Sequence, residues 1–245
     1  MFIGYILFMG IFYFVITISA NSYSDSRTTT TTTTRATTSE VTTAEDWQAV
    51  LLSTSELITK TNVFIQVNFE ESTEIGSGTI FYQDDDFYYV LTCAHVIDGE
   101  LITTKLVRTF DGIESDYEVV ASDIDLDLAV IKFIKNDRLS INPISFLTNS
   151  VEMNNIVFSV GNPLGIYDYL SIGFIKGFPI LQSIELQRDS IEHTAILAPG
   201  SSGGALTDLY GQLIGINAWV LNEKYYAIPI SDILIFLQNH GISHN

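Results

Sequence analysis

Cysteine is nearly absent, with Cys93 standing alone in 245 residues. A single thiol excludes an intrachain disulfide framework and any CxxC metal or redox site, so stability has to come from packing. Basic residues are scarce too: 11 Lys and Arg face 29 Asp and Glu, for a formal net charge of −18. Phosphate contacts need clustered Lys and Arg, so this balance excludes a nucleic-acid partner and argues against an anionic membrane surface. Asn-X-Ser/Thr acceptor sites are missing altogether, which removes N-glycosylation as a guide to location. What is present is apolar and β-branched. At 47% hydrophobic content the chain can bury one large core or two small barrels packed together.

From Phe2 to Ala20 no side chain is charged. Residues 1–20 therefore read as a secretory signal peptide or a membrane anchor. Ser19 and Ala20 followed by polar residues suit cleavage, whereas the length suits a short spanning helix. Either outcome places the chain on the secretory route, secreted or tethered through residues 2–20. Residues 21–44 are low in complexity, with seven consecutive threonines from Thr28 to Thr34. Such a tract cannot form a core and reads as an extended stalk, either O-glycosylated or an unmodified linker.

The folded part is expected over residues 45–245. EDWQAVLLSTSELI has helical spacing, and from Asn62 onward the pattern changes to short strands rich in β-branched and aromatic residues. These are NVFIQVNF, GSGTIFY, FYYVLTCAHV, LAVIKFI, NIVFSVG, AILAPG, GQLIGINAWV and YYAIPI, separated by Gly, Asp and Asn turns. The pattern predicts an all-β sandwich or barrel pair rather than a βαβ fold. SDILIFLQNHG closes the chain as a helix, with Ser231 as the expected N-cap and Gly241 past its end.

Leu197 to Asn217 reads LAPGSSGGALTDLYGQLIGIN and places Ser202 between a Pro-Gly turn and two glycines. In such a turn the N–H groups of Ser202 and Gly200 can converge on one point, as an oxyanion hole for acyl transfer requires. A nucleophilic serine needs a base, and His95 in YYVLTCAHVIDG is expected at the end of an apolar strand. His193, His240 and His244 lack comparable settings. The acid comes from SDIDLDLAVIKF, where Asp123, Asp125 and Asp127 alternate along an expected strand and Asp127 adjoins the apolar run. A calcium loop would curl its ligands round a glycine rather than run straight, so neither metal nor cofactor is expected.

The order His95, Asp127, Ser202 is that of a serine-protease triad. GSGTIF, LTCAHVIDG, DLAVIKF, SVGNPLG, APGSSGGALTDLYGQLIGIN and YAIPI, spanning Val63 to Ile230, resemble successive signature blocks of the HtrA (DegP-like) branch of the trypsin-like serine proteases. The resemblance implies two six-stranded antiparallel barrels, at about 62–139 and 141–230, with the active site between them and a C-terminal helix at about 231–240. It implies His95, Asp127 and Ser202 as the triad, and Gly200, Ser201 and Ser202 as the turn whose amides form the oxyanion hole. It implies a serine endopeptidase acting on polypeptides; relatives often assemble as trimers, and the sequence leaves open whether this chain forms a homo-oligomer.

Six residues before the nucleophile, the pocket base in digestive relatives, stands Ile196. With Trp219, Ala227 and Ile228 as the remaining wall, the resemblance implies a pocket for a small or aliphatic side chain. Ser201 replaces the usual Asn, and it is not the aspartate that couples a freed N-terminus to activity in digestive relatives. No PDZ domain is expected after the helix. The competing reading is a catalytically silent trypsin-like binding domain displayed on a Thr-rich stalk.

Overall fold

The 18-residue helix α1 (Ala44–Thr61) opens the part of the chain described by the computed structural model, which covers residues 44–136, 140–182 and 187–244. The expected leader at 1–20, and the Thr-rich stalk apart from residue 44, lie outside the described residues. Among the described residues no helix is long and apolar enough to cross a membrane.

Seven strands form the first sheet: β1 (Asn62–Phe69), β2 (Thr73–Gln83), β3 (Phe87–Thr92), β4 (Ile102–Thr109), β5 (Glu114–Ser115), β6 (Glu118–Asp123) and β7 (Leu128–Ile134). The one-turn helix α2 (Ala94–Ile97) links β3 to β4. Antiparallel pairing gives the order β5-β4-β1-β2-β3-β7-β6. The expected first barrel of six strands is thus an open sheet of seven, because the short end strands β5 and β6 pair inward and not with each other. Leu128 to Ile131 are all buried, which is why this strand reads as an unbroken apolar run.

The second half is a closed six-stranded barrel, as expected. Its strands are β8 (Ile156–Gly161), β9 (Tyr169–Gly177), β12 (Ile191–His193), β13 (Ala205–Thr207), β14 (Leu213–Leu221) and β15 (Lys224–Pro229), in the order β12-β15-β14-β13-β8-β9. Along β9 buried and exposed residues alternate, one face lining the barrel and the other facing solvent. A hairpin of β10 (Ile180–Gln182) and β11 (Gln187–Asp189) stands outside the barrel. One core runs from the first sheet to the barrel rim, α1 and the closing helix α3 (Ile230–Asn239), and joins Ile65, Val90, Ile131, Val160, Ile216 and Phe236. A smaller core of Val157, Ile175, Ile191, Leu206 and Ile214 fills the barrel. The fold class is all-β, as read from the sequence.

Three local expectations change. Pro229, not Ser231, precedes α3; its fixed φ of −72° enters the helix, and Ser231 lies within the first turn. At the other end Gly241 adopts φ 64°, and the Gly241 and Ile242 amides bond to the Gln238 and Leu237 carbonyls, a Schellman stop. AILAPG is not a strand, because its end coils into the turn that carries Ser202. The segment Asp123–Asp127 does not run straight either: the Asp123 Oδ1 accepts the Leu126 N–H at 2.9 Å and bends the chain.

His193 is buried at 2% exposure in β12, and among the described residues neither ring nitrogen has a well-formed hydrogen bond. Burial pushes its pKa down to about 4, and the nearby Ala195 backbone offsets only part of that. A histidine that stays neutral when folded charges first in the unfolded state, so stability falls as pH drops from about 6.5 to about 4 and is full above that window. The loss expected from this residue is about 3 kcal/mol. Urea unfolding at pH 7, 5.5 and 4.5 should show a steeper decline for the native chain than for His193→Leu.

Candidate active site

The site is built from three turns. After β3 the chain enters α2, so His95 sits in a helical turn rather than on a strand end. Between β6 and β7, Asp127 adopts φ 56°, a left-handed conformation that aspartate reaches more readily than most residues. Its carboxylate is 5% exposed and meets α2 twice. The Asp127 Oδ1 accepts the His95 backbone N–H at 3.0 Å, and both carboxylate oxygens lie 2.9 Å from His95 Nδ1. An ionised carboxylate only accepts, so Nδ1 carries the proton and Nε2 is left as the basic nitrogen. The Ala94 N–H closes the arrangement on the Asp127 carbonyl at 3.2 Å.

The third turn carries Ser202. Ser201 closes it: the Ser201 N–H donates to the Ala198 carbonyl at 2.9 Å, and its Oγ accepts the Ala198 N–H at 3.1 Å. The Ser201 amide is therefore committed, which corrects the expectation that all three amides of Gly200, Ser201 and Ser202 serve the hole. Among the described residues no acceptor takes the Gly200 or Ser202 N–H. Gly200 and Gly203 have φ of 98° and 90°, values at which a side chain is strained. The Ser202 hydroxyl donates to the Ala218 carbonyl at 3.1 Å.

Ala218, His95 and Asp127 share one groove of about 440 Å³, also lined by Ile124, Arg188 and Trp219. Among the described residues β14 past Asn217 pairs only with β15, so Trp219–Leu221 present an open strand edge in the groove that His95 lines. A second cavity of about 310 Å³ adjoins it, lined by Trp219, Ile228 and Arg188 together with Asp125, Asp189 and Asp232. Of the four expected pocket residues, Trp219 and Ile228 line this cavity. Ala227 is fully buried in the barrel, and Ile196 is 54% exposed and lines neither space. The apolar pocket expected of them is thus partly charged, because the β10–β11 hairpin brings Arg188 over it.

Arg188 escaped the sequence reading. Its Nη2 donates to the Ile124 carbonyl at 3.1 Å and its guanidinium carbon lies 5.3 Å from the Trp219 ring, so it ties the hairpin to the turn holding Asp127. Nothing in LQRDS marks it. Cys93, His95 and Asp127 have ligand atoms within 4.8 Å of one another. Burial first, then the Asp127 charge, pushes the Cys93 thiol well up, and it donates to the Asn217 carbonyl at 3.3 Å. A metal would need the thiolate, so these three residues fit a histidine oriented by a carboxylate better than a metal set.

A carboxylate-oriented imidazole facing a groove that also holds the partner of a turn-bound serine is the equipment of a hydrolase that works by acyl transfer. The trypsin-like peptidase domain model matches residues 76–216, more than half of the chain, and the chain belongs to that family. It is 31% identical over 72% of its length to the "Probable periplasmic serine endoprotease DegP-like" of Halomonas elongata, and 29% identical over 66% to the "Serine protease Do-like HtrA" of Bacillus subtilis. It spans 38% and 39% of those two relatives' own lengths. Among solved structures, the HtrA-type protease AlgW with a tripeptide superposes with a TM-score of 0.67 at 25% identity, covering 78% of this chain and 64% of that one. The Rv3671c protease of M. tuberculosis shares the fold, with a TM-score of 0.68 at 21% identity over 80% of this chain and 87% of that one.

Proposed function

We propose that this protein is a serine endopeptidase of the HtrA-like kind, with Ser202 as nucleophile, His95 as general base and acid, and Asp127 as its orienting carboxylate. The observation that carries the proposal is Asp127, buried in a left-handed turn and bonded to both the backbone and the imidazole of His95. A carboxylate held there costs desolvation, and its use is to fix the tautomer and stabilise the imidazolium.

In the reaction the Ser202 Oγ leaves the Ala218 carbonyl by rotation about χ1 and passes its proton to His95 Nε2. It then attacks the substrate carbonyl, whose oxygen takes its charge to the Gly200 and Ser202 amides. His95 returns the proton to the leaving amine, and water repeats the sequence on the acyl-enzyme. The substrate is an extended, exposed polypeptide segment, because the open edge at Trp219–Leu221 can accept a strand. A preference for small or aliphatic side chains is not proposed, because Ile196 lines neither space and charged groups share the cavity beside Trp219.

The charge-free residues 2–20 and the periplasmic description of the Halomonas relative support a secretory route. A fluorophosphonate probe tests the chemistry. It should label Ser202 in the native chain and fail to label Ser202→Ala or His95→Ala samples that melt like the native protein. A folded native chain that takes no label would favour the silent binding domain.

A further inference from the structure

The hydroxyl of Ser77, in the GSGTIF block of β2, has its bonding capacity filled. It donates to the Gly200 carbonyl at 2.7 Å and accepts the Asn162 backbone N–H at 2.8 Å and the Asn162 Nδ2 at 3.1 Å. A hydroxyl has one hydrogen and two lone pairs. With two N–H donors aimed at the oxygen, the hydrogen has one place to go, the Gly200 carbonyl. The Ser77 N–H grips the same turn, donating to the Ser202 carbonyl at 2.8 Å, while the Ser77 carbonyl accepts the Thr92 hydroxyl at 2.7 Å within the first sheet. Ser77 is fully buried, so no bulk water competes for these bonds.

The consequence for the nucleophile turn follows from peptide planarity. The Gly200 carbonyl fixes the plane of the 200–201 unit, whose N–H goes to Ala198, and the Ser202 carbonyl fixes the unit after the nucleophile. Between them the Ser201 carbonyl is held by the Gly204 N–H at 3.0 Å. Every carbonyl from 200 to 202 is thereby anchored, and among the described residues the Gly200 and Ser202 amides remain without an internal acceptor. Gly200 is the soft point of the turn, a glycine at φ 98° with no side chain to restrain it. The peptide unit before it is held by the Leu164 N–H on the Pro199 carbonyl at 2.7 Å, and the unit after it by the Ser77 hydroxyl, which reaches it from the opposite half of the fold.

We propose that Ser77 is a positioning residue for the oxyanion hole: its hydroxyl holds the Gly200 carbonyl so that the Gly200 and Ser202 amides face the developing oxyanion. This rests on the protease reading above. A serine that only fastened the two halves together would lower stability when removed and leave a folded enzyme's turnover number unchanged. A positioning serine acts on the transition state, where the oxygen carries charge, and little on the ground-state complex.

The test compares the native chain, Ser77→Ala and Ser77→Cys, the last keeping a weak donor of similar size. On an unfolded reporter protein Ser77→Ala should lose about 10- to 100-fold in kcat, less than the 10²–10³ of deleting a donor outright, with KM within about twofold. Affinity for a peptide boronate, whose adduct places an oxyanion in the hole, should fall by a similar factor. Affinity for the product peptide should hold, and Ser77→Cys should lie between. A Ser77→Ala protein that melts normally with kcat and boronate affinity unchanged would overturn the proposal, and so would equal losses for boronate and product peptide. If Ser77→Ala does not fold, the same readouts on Ser77→Cys decide. Should the native chain neither hydrolyse nor take the fluorophosphonate probe, the protease reading fails. The positioning claim is then read from the Gly200 and Ser202 amide NMR signals, which should shift in the variant and would defeat it by staying put.

Discussion

Replacing Asp127 by Asn is expected to lower kcat by about 10⁴-fold in a protein that stays folded. The geometry dictates which way the amide sits. The His95 backbone N–H is 3.0 Å from Oδ1 and needs an acceptor, so the asparagine oxygen stays there and its NH₂ turns toward Nδ1. Nδ1 then has to accept, which moves the imidazole proton to Nε2, and Nε2 can no longer take the Ser202 proton. The fold should tolerate the change, because φ 56° suits Asn as well as Asp and the two side chains have nearly the same shape. The check is steady-state kinetics on purified Asp127→Asn beside a thermal melt. Activity within tenfold of native would remove Asp127 from the triad.

The largest expected loss of stability comes from Gly203→Ala. A Cβ at this position would lie 2.0 Å from the Ser77 carbonyl oxygen and 2.4 Å from the Thr92 Oγ1, at a φ of 90°. The strand behind cannot yield, because Ser77 is tied to Gly200, Asn162 and Ser202 at once. Nor can the turn withdraw, since the Gly203 N–H donates to Asn217 at 2.8 Å and its carbonyl accepts the Thr79 hydroxyl at 3.2 Å. Overpacking and strain at positive φ combine, so a loss of more than about 4 kcal/mol is expected, enough to unfold a marginal domain. Gly177→Ala is the control: a Cβ there meets nothing among the described residues within 4 Å, and its urea midpoint should stay close to native.

The second prediction lies where the first sheet meets the turn of the barrel that carries Ser202. Ser77 and Thr79 reach across this seam to Gly200 and Gly203, and Thr92 holds the Ser77 carbonyl within the first sheet. None of them stood out in the sequence, where GSGTIF reads as a strand with two glycines. The bonds that give them meaning join residues more than 120 positions apart, between Ser77 and Gly200 and between Thr79 and Gly203. Periodicity carries no information on such pairs. Arg188 was missed for the same reason, since its partners Ile124 and Trp219 come from other segments.

What the sequence determined by itself was the material of the fold and the order of the candidate residues. Runs of β-branched and aromatic residues with turn signals define short strands, because side chains alternate across a strand and a buried strand tolerates no polar run. The order of the candidates His95, Asp127 and Ser202 could be read from their motifs, although the sequence set His95 at a strand end and Asp127 on a straight strand. Tertiary structure decided the rest. It left the first sheet open, bent Asp123–Asp127 into a turn that delivers the carboxylate, and committed the Ser201 amide to Ala198. It set Arg188 over a pocket that looked apolar in the chain. These outcomes depend on which hydrogen-bonding groups and charges meet once the two halves pack, and a linear pattern specifies which face each residue occupies but not what it will meet there.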